Sequence, residues 1–115
     1  MYKFNKNTIH LVRGDTLEAQ ITIKQNDEDY VPVEGDVIRF ALKKNEFNHS
    51  KTQYVNKKPL VLKQIPTDTL VLRLNPSDTA ELDFGTYAYD IQITMADGKV
   101  DTFISDKLYL EPEVF

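Results

Sequence analysis

Apolar and polar residues alternate with period two along most of this chain, and that feature decides the fold class. Leu17, Ala19, Ile21 and Ile23 form one alternating set. Ile38, Phe40 and Leu42 form a second, Leu70, Leu72 and Leu74 a third, and Tyr87, Tyr89, Ile91 and Ile93 a fourth. Val100, Thr102 and Ile104, continued by Leu108 and Leu110, form the last. Successive side chains of a strand point to opposite faces, so each set marks the buried face of one strand. Shorter strands are expected at Thr8–Val12 and at residues 60–65. No segment keeps a helical period over the ~11 residues of an ordinary helix. The expected class is all-β, an antiparallel β-sandwich of seven or eight strands. One short helical turn is expected at residues 78–82, capped by Ser77.

Turn residues divide the strands. Arg13-Gly14-Asp15 follows the first, and Pro66-Thr67-Asp68 separates the two middle ones. Asp97-Gly98 is a strong two-residue hairpin signal, because both turn positions favour positive φ. That turn pairs Met95 with Val100, Ile93 with Thr102 and Ile91 with Ile104, all on one face. Phe103 then falls on the opposite, polar face, and Tyr109 shares its parity. A ring on a polar sheet face marks a contact patch, so Phe103 and Tyr109 are candidate protein-contact residues.

The run Asp83-Phe84-Gly85-Thr86-Tyr87 has the spacing that leads into strand F of immunoglobulin-like domains. There a tyrosine hydroxyl bonds back to the preceding corner. Tyr87 is the expected corner tyrosine, and the sandwich is expected to be immunoglobulin-like.

At 115 residues the chain is expected to form a single domain, residues 1–115, which buries roughly 65% of its unfolded surface. It has no cysteine, which excludes disulfides, thiolate metal sites and cysteine nucleophiles. That absence suits a protein made in a reducing cytoplasm. A net charge of −4 argues against affinity for a phosphate backbone. No apolar run approaches the ~20 residues of a membrane span. The opening Met1-Tyr2-Lys3-Phe4-Asn5-Lys6 has no apolar stretch after its positive charges, unlike a secretory signal.

Residue types able to do chemistry are present but not assembled. His10 alternates with Ile9 and Leu11, so it is expected to face solvent. His49 lies in a polar stretch, and no spacing joins the two to carboxylates in a metal site. Asp27, Glu28 and Asp29 lack the spacing of a calcium loop and read as a solvated hairpin loop. Arg13-Gly14-Asp15 spells an integrin-binding tripeptide but also fits a tight turn, and the turn is the reading adopted. There is no Ser-His-Asp set and no glycine-rich phosphate loop. The expectation is a protein that binds or assembles, with no catalysis, cofactor or metal. Residues 43–59 form a long connection with five lysines against the single acid Glu46. Phe47 and Tyr54 interrupt its polar residues and are candidate contact anchors, with the lysines steering toward an acidic partner.

Several phrases occur in an order that carries a resemblance. They are Leu11-Val12-Arg13-Gly14-Asp15-Thr16, Gly35-Asp36-Val37-Ile38-Arg39-Phe40-Ala41-Leu42-Lys43-Lys44 and Lys63-Gln64-Ile65-Pro66-Thr67-Asp68. Then follow Leu74-Asn75-Pro76-Ser77-Asp78-Thr79, Phe84-Gly85-Thr86-Tyr87-Ala88-Tyr89-Asp90-Ile91 and Ala96-Asp97-Gly98, with Asp101-Thr102-Phe103-Ile104 last. In this the chain resembles small structural proteins of tailed phages and prophages of Gram-positive bacteria. It looks most like the immunoglobulin-like N-terminal domain of baseplate upper proteins. The resemblance implies a non-enzymatic virion component that docks onto other phage structural subunits, or onto itself, in the tail or baseplate. With the net charge and the lack of a long apolar run, no nucleic-acid or membrane partner is expected. In the larger baseplate proteins a linker and a receptor-facing region follow this domain. Neither is present here, so docking or accessory function is expected over receptor bridging. The alternative is a free-standing immunoglobulin-like domain that binds carbohydrate or peptide.

Overall fold

The computed structural model describes residues 2–5, 7–25, 27–44, 47–48, 53–54 and 59–112, with 2–5, 25, 47–48 and 53–54 described by backbone alone. In chain order the elements are β1 (Tyr2–Asn5), β2 (Thr8–Val12), β3 (Leu17–Gln20), β4 (Lys24–Gln25), β5 (Glu28–Asp29) and β6 (Val37–Lys44). Then come β7 (Phe47–Asn48), β8 (Gln53–Tyr54), β9 (Val61–Ile65), β10 (Val71–Leu74), α1 (Pro76–Thr79), β11 (Gly85–Thr94) and β12 (Val100–Glu111). The seven principal strands expected from the alternation are all present. The additions are β1 and two hairpins of two-residue strands.

Six strands form one sheet in the order β1-β2-β12-β11-β6-β9, and β10 and β3 form a second. The fold is all-β and sandwich-like, as the alternation requires. The long sheet is mixed, not purely antiparallel, because β2 lies parallel to β12. A parallel neighbour cannot be reached by a tight turn, and here the rest of the domain is the crossover. The alternation is blind to this, since the side-chain period is the same in both kinds of ladder.

The core lies between the two sheets. Leu17, Ala19, Leu72 and Leu74 face it from the short sheet, and Ile38, Phe40, Leu42, Tyr89, Ile91, Leu108 and Leu110 from the long one. The Phe40 and Tyr89 rings meet at 5.5 Å, tilted by 31°. Each fully buried aliphatic side chain here stabilises the fold by about 1.5–3 kcal/mol. Lys63 lies opposite Phe40 on edge strand β9 and extends to Asp78, 3.0 Å away.

Two local expectations are corrected. The helical turn begins at Pro76, not Asp78, and Asn75 holds the N-cap position in place of Ser77. Pro76 suits the first helical position because its missing N–H has no partner there anyway. Asp78 reaches back to accept the Asn75 N–H at 2.6 Å, one half of a capping box.

The β11–β12 hairpin also differs. Met95 N–H donates to Lys99 O at 2.7 Å and Gly98 N–H to Met95 O at 2.8 Å, so the loop holds three residues. Gly98 has φ +93, the left-handed third position of such a loop. Thr94 therefore faces Val100, and Ile93 faces Asp101. A bulge between Ile91 and Gln92 absorbs the shift and restores the expected pair Ile91–Ile104. Phe103 is the extra residue, skipped between Thr102 and Ile104. Val100, expected to face the core, is 58% exposed.

Candidate docking surfaces

The outer face of the long sheet is built by register. Tyr109 faces Thr86 on one side and His10 on the other. The Tyr109 and His10 rings stack at 4.8 Å and 19°, and His10 Nδ1 lies 3.6 Å from Glu111. Leu108 and Leu110 point inward at 0% and 2% exposure, so Tyr109 between them points out. Further along, Asp90 faces both Ser105 and Ala41, and Ala41 faces Leu62. Ser105 donates to Asp90 at 2.7 Å. Leu62 is 61% exposed. The face thus has a half-buried aromatic stack on β2 and β12, small and polar residues in the middle, and a bare leucine on β9.

The candidate contact residues do not converge. Tyr109 lies on the outer face as its parity requires. Phe103 is not a bare ring on that face: it is half-buried at the bulge and packs against the core cluster. The bulge breaks the simple alternation that placed Phe103 and Tyr109 together. Phe47 and Tyr54 face each other in backbone register across β7 and β8, and their side chains lie outside the described residues. Most of the lysine-rich segment 43–59 also lies outside them.

Tyr87 is buried, and its hydroxyl donates to the Asp83 carbonyl at 2.6 Å. Burial raises its pKa, and the nearby Asp83 charge adds to that. Tyr89 donates to the Asn7 carbonyl. Its pKa is raised further, first by burial and then by Asp106, which accepts from Thr8 Oγ1 at 3.0 Å.

Arg13-Gly14-Asp15 forms a turn closed by Asp15 N–H to Val12 O at 3.0 Å, with Gly14 at φ +84. Gly14 N–H donates to the buried Thr79 Oγ1 at 3.0 Å, and Arg13 donates to Leu82 O at 3.2 Å. The Arg13 guanidinium also lies over the Phe84 ring, 4.1 Å from its centre. This tripeptide is tied into its own domain. Among the described residues, no group of three metal-ligating side chains converges. No described helix is long and apolar enough to cross a membrane.

Sequence reasoning missed a cleft of about 320 Å³ at the open side of the sandwich. Ala19 and Leu72 line it from the short sheet, Ile21 from the segment after β3, and Ile9, Tyr89, Ile91 and Ile104 from the long sheet, with Asn7, Gln20 and Thr22 at its polar parts. Its cause is geometric: two strands stand over six. The available signal was the unbroken alternation from Leu17 to Lys24, which outruns the ladder. The chain matches no protein-family model, no curated protein and no solved structure.

Proposed function

We propose that this chain is a non-enzymatic docking or assembly module of a tailed-phage or prophage virion, made in the bacterial cytoplasm and built into the tail or baseplate. Its partners in this reading are other virion subunits, not nucleic acid or membrane. The observation that carries the docking role is the outer face of the long sheet, where an exposed Leu62 and the Tyr109–His10 stack flank small and polar residues. Aromatic and aliphatic anchors carry most of the binding energy of protein interfaces. The phage assignment rests on the ordered sequence phrases given above.

The strand arrangement supports the immunoglobulin-like reading. Such domains place strands B and E in one layer and C, F and G in the other, with a tyrosine bonded at the E–F corner. In this reading β3 and β10, which pair in the short sheet, correspond to the first, β6, β11 and β12, which adjoin in the long sheet, to the second, and Tyr87, bonded to the Asp83 carbonyl, to the corner tyrosine.

The test is to tag the chain in its producing strain, induce the prophage and separate particles on a density gradient. The chain is expected to sediment with tails or whole particles, and Leu62→Ser combined with Tyr109→Ser to remain folded by circular dichroism but leave that fraction. A wild-type chain that stays among free proteins while tail proteins sediment overturns the reading. The side cleft, with its polar Asn7, Gln20 and Thr22, favours the second reading, a free-standing binding domain for carbohydrate or peptide. Saturable binding to a glycan or peptide array, lost on Gln20→Ala, distinguishes it.

A further inference from the structure

The pleat of β3 continues past its ladder. From Leu17 to Ile23 the odd-numbered side chains are buried, and Glu18, Gln20, Thr22 and Lys24 point outward. Ile21 N–H donates to Leu70 O at 2.9 Å, and Ile23 O accepts the Tyr30 N–H at 2.8 Å. The odd residues thus direct their backbone groups toward β10 and the chain after β5, on one side. In an extended strand the even residues direct theirs to the other side. Beyond Gln20 and Thr22 on that side lies the cleft, and among the described residues no strand pairs there. The β9 edge of the long sheet is guarded by the inward-pointing Lys63, a device that blocks edge pairing. The inward positions of the β3 edge are apolar throughout.

We propose that two copies of the chain pair antiparallel through this edge, across a two-fold axis at Ile21. In this register Glu18 faces Lys24 of the second copy, Gln20 faces Thr22, and Ile21 faces its own counterpart. Only registers that set even residues against even ones join the two outward-facing sets of backbone groups. Charge selects among them. Arg73 neighbours Glu18 across β10 and β3, and Lys24 neighbours Asp29 across β4 and β5, each as an ion pair. The joined sheet then reads Arg73, Glu18, Lys24, Asp29 across four strands, alternating in sign, and repeats by symmetry. Opposite charges in directly facing positions stabilise a strand pair, and like charges destabilise it. A shift of two residues sets Glu18 against Thr22 and loses both new pairs. The cleft beside the edge gives room for Ile21 and Ile23 of the incoming strand. This pairing does not depend on the particle proposed above.

The chain's lack of cysteine makes the register directly testable. Facing residues in a non-hydrogen-bonded pair are about 4.5 Å apart at Cα, within the range a disulfide spans. Under mild oxidation Ile21→Cys should give a covalent dimer on a non-reducing gel, while Gln20→Cys, whose counterpart lies two residues away, should not. Light scattering of the unaltered chain should report twice the chain mass at high concentration. Lys24→Glu changes an exposed residue whose partner in its own copy, Asp29, is exposed as well, so the fold survives it, and it should weaken dimerisation at least tenfold by like-charge juxtaposition with Glu18 of the second copy. Glu18→Lys combined with Lys24→Glu should restore it once Arg73→Glu and Asp29→Lys are added to keep the pairs within each copy alternating in sign. A monomeric mass at every concentration, a dimer indifferent to Lys24→Glu, or crosslinking through Gln20→Cys in place of Ile21→Cys each overturns the proposal.

Discussion

The phenolic hydroxyl of Tyr30 donates to Asp36 Oδ2 across 2.6 Å. The same oxygen accepts the Val33 N–H at 2.9 Å, so one carboxylate holds the loop before β6 closed. The Tyr30 hydroxyl first, and then the Val33 amide, hold the Asp36 carboxyl below its usual pKa. A depressed carboxylate stabilises the fold above the unfolded value of about 3.9, and the contribution is lost as pH falls through the folded one. Asp36→Asn should lower the thermal midpoint at neutral pH and flatten its fall in acid. Equal acid sensitivity in the two proteins, followed by circular dichroism, would count against the clamp.

Alkaline pH acts with the opposite sign. Of six tyrosines, Tyr30 has its pKa raised first by its bond to Asp36, and Tyr87 and Tyr89 by burial. Their contribution is fully present below the unfolded value of about 10 and is lost as pH rises through the folded values. A spectrophotometric phenolate titration should show a late phase that coincides with unfolding. A single phase at the ordinary tyrosine pKa, with the fold intact, would contradict this.

Tyr87→Phe removes one buried hydrogen bond and little volume. The expected loss is about 1 kcal/mol in a urea unfolding curve. An unchanged midpoint would mean that the bond to Asp83 contributes nothing.

Phe40 is 0% exposed and packs on Tyr89. Phe40→Ala should cost about 3–5 kcal/mol, a large share of the 5–15 kcal/mol that holds a typical domain together. A loss under 1 kcal/mol would show that the core collapses around the gap.

Gly35 has φ +95, and a Cβ there would stand 2.7 Å from Ala96 Cβ. Gly35→Ala therefore meets two penalties, a left-handed backbone worth about 1–2 kcal/mol and a clash with the β11–β12 turn. Adding Ala96→Gly should recover the clash alone. Full recovery would show that the backbone conformation carries no penalty.

The sequence made the core legible nearly residue by residue, because burial follows the period-two pattern wherever a ladder is regular. The spacing to Tyr87 gave the partner region of its hydroxyl. What escaped it were choices between arrangements of equal local merit. Asp97-Gly98 fits both a two-residue turn and the end of a three-residue loop, and the bulge that reconciles the second with Ile91–Ile104 leaves no mark in the pattern. Phe103 was misplaced for that reason. Leu70 counts as a strand residue by alternation, yet it has φ +56 and lies before β10. The open side of the sandwich depends on how many strands each layer holds, which no single segment encodes.

The parallel pairing of β2 with β12 also orders events in time. Ile9 lies beside Leu108, so the partner of one of the earliest strands is made among the last. At roughly 5–20 residues per second, synthesis of the intervening chain leaves β2 waiting roughly 5–20 s for the strand that flanks it. Leu11 and Ile9, silent in the finished core, are exposed apolar surface for that interval. Contacts this distant in sequence also slow folding. Until β12 is made, the side of β2 that it flanks is an open edge, the kind of surface through which emerging chains aggregate.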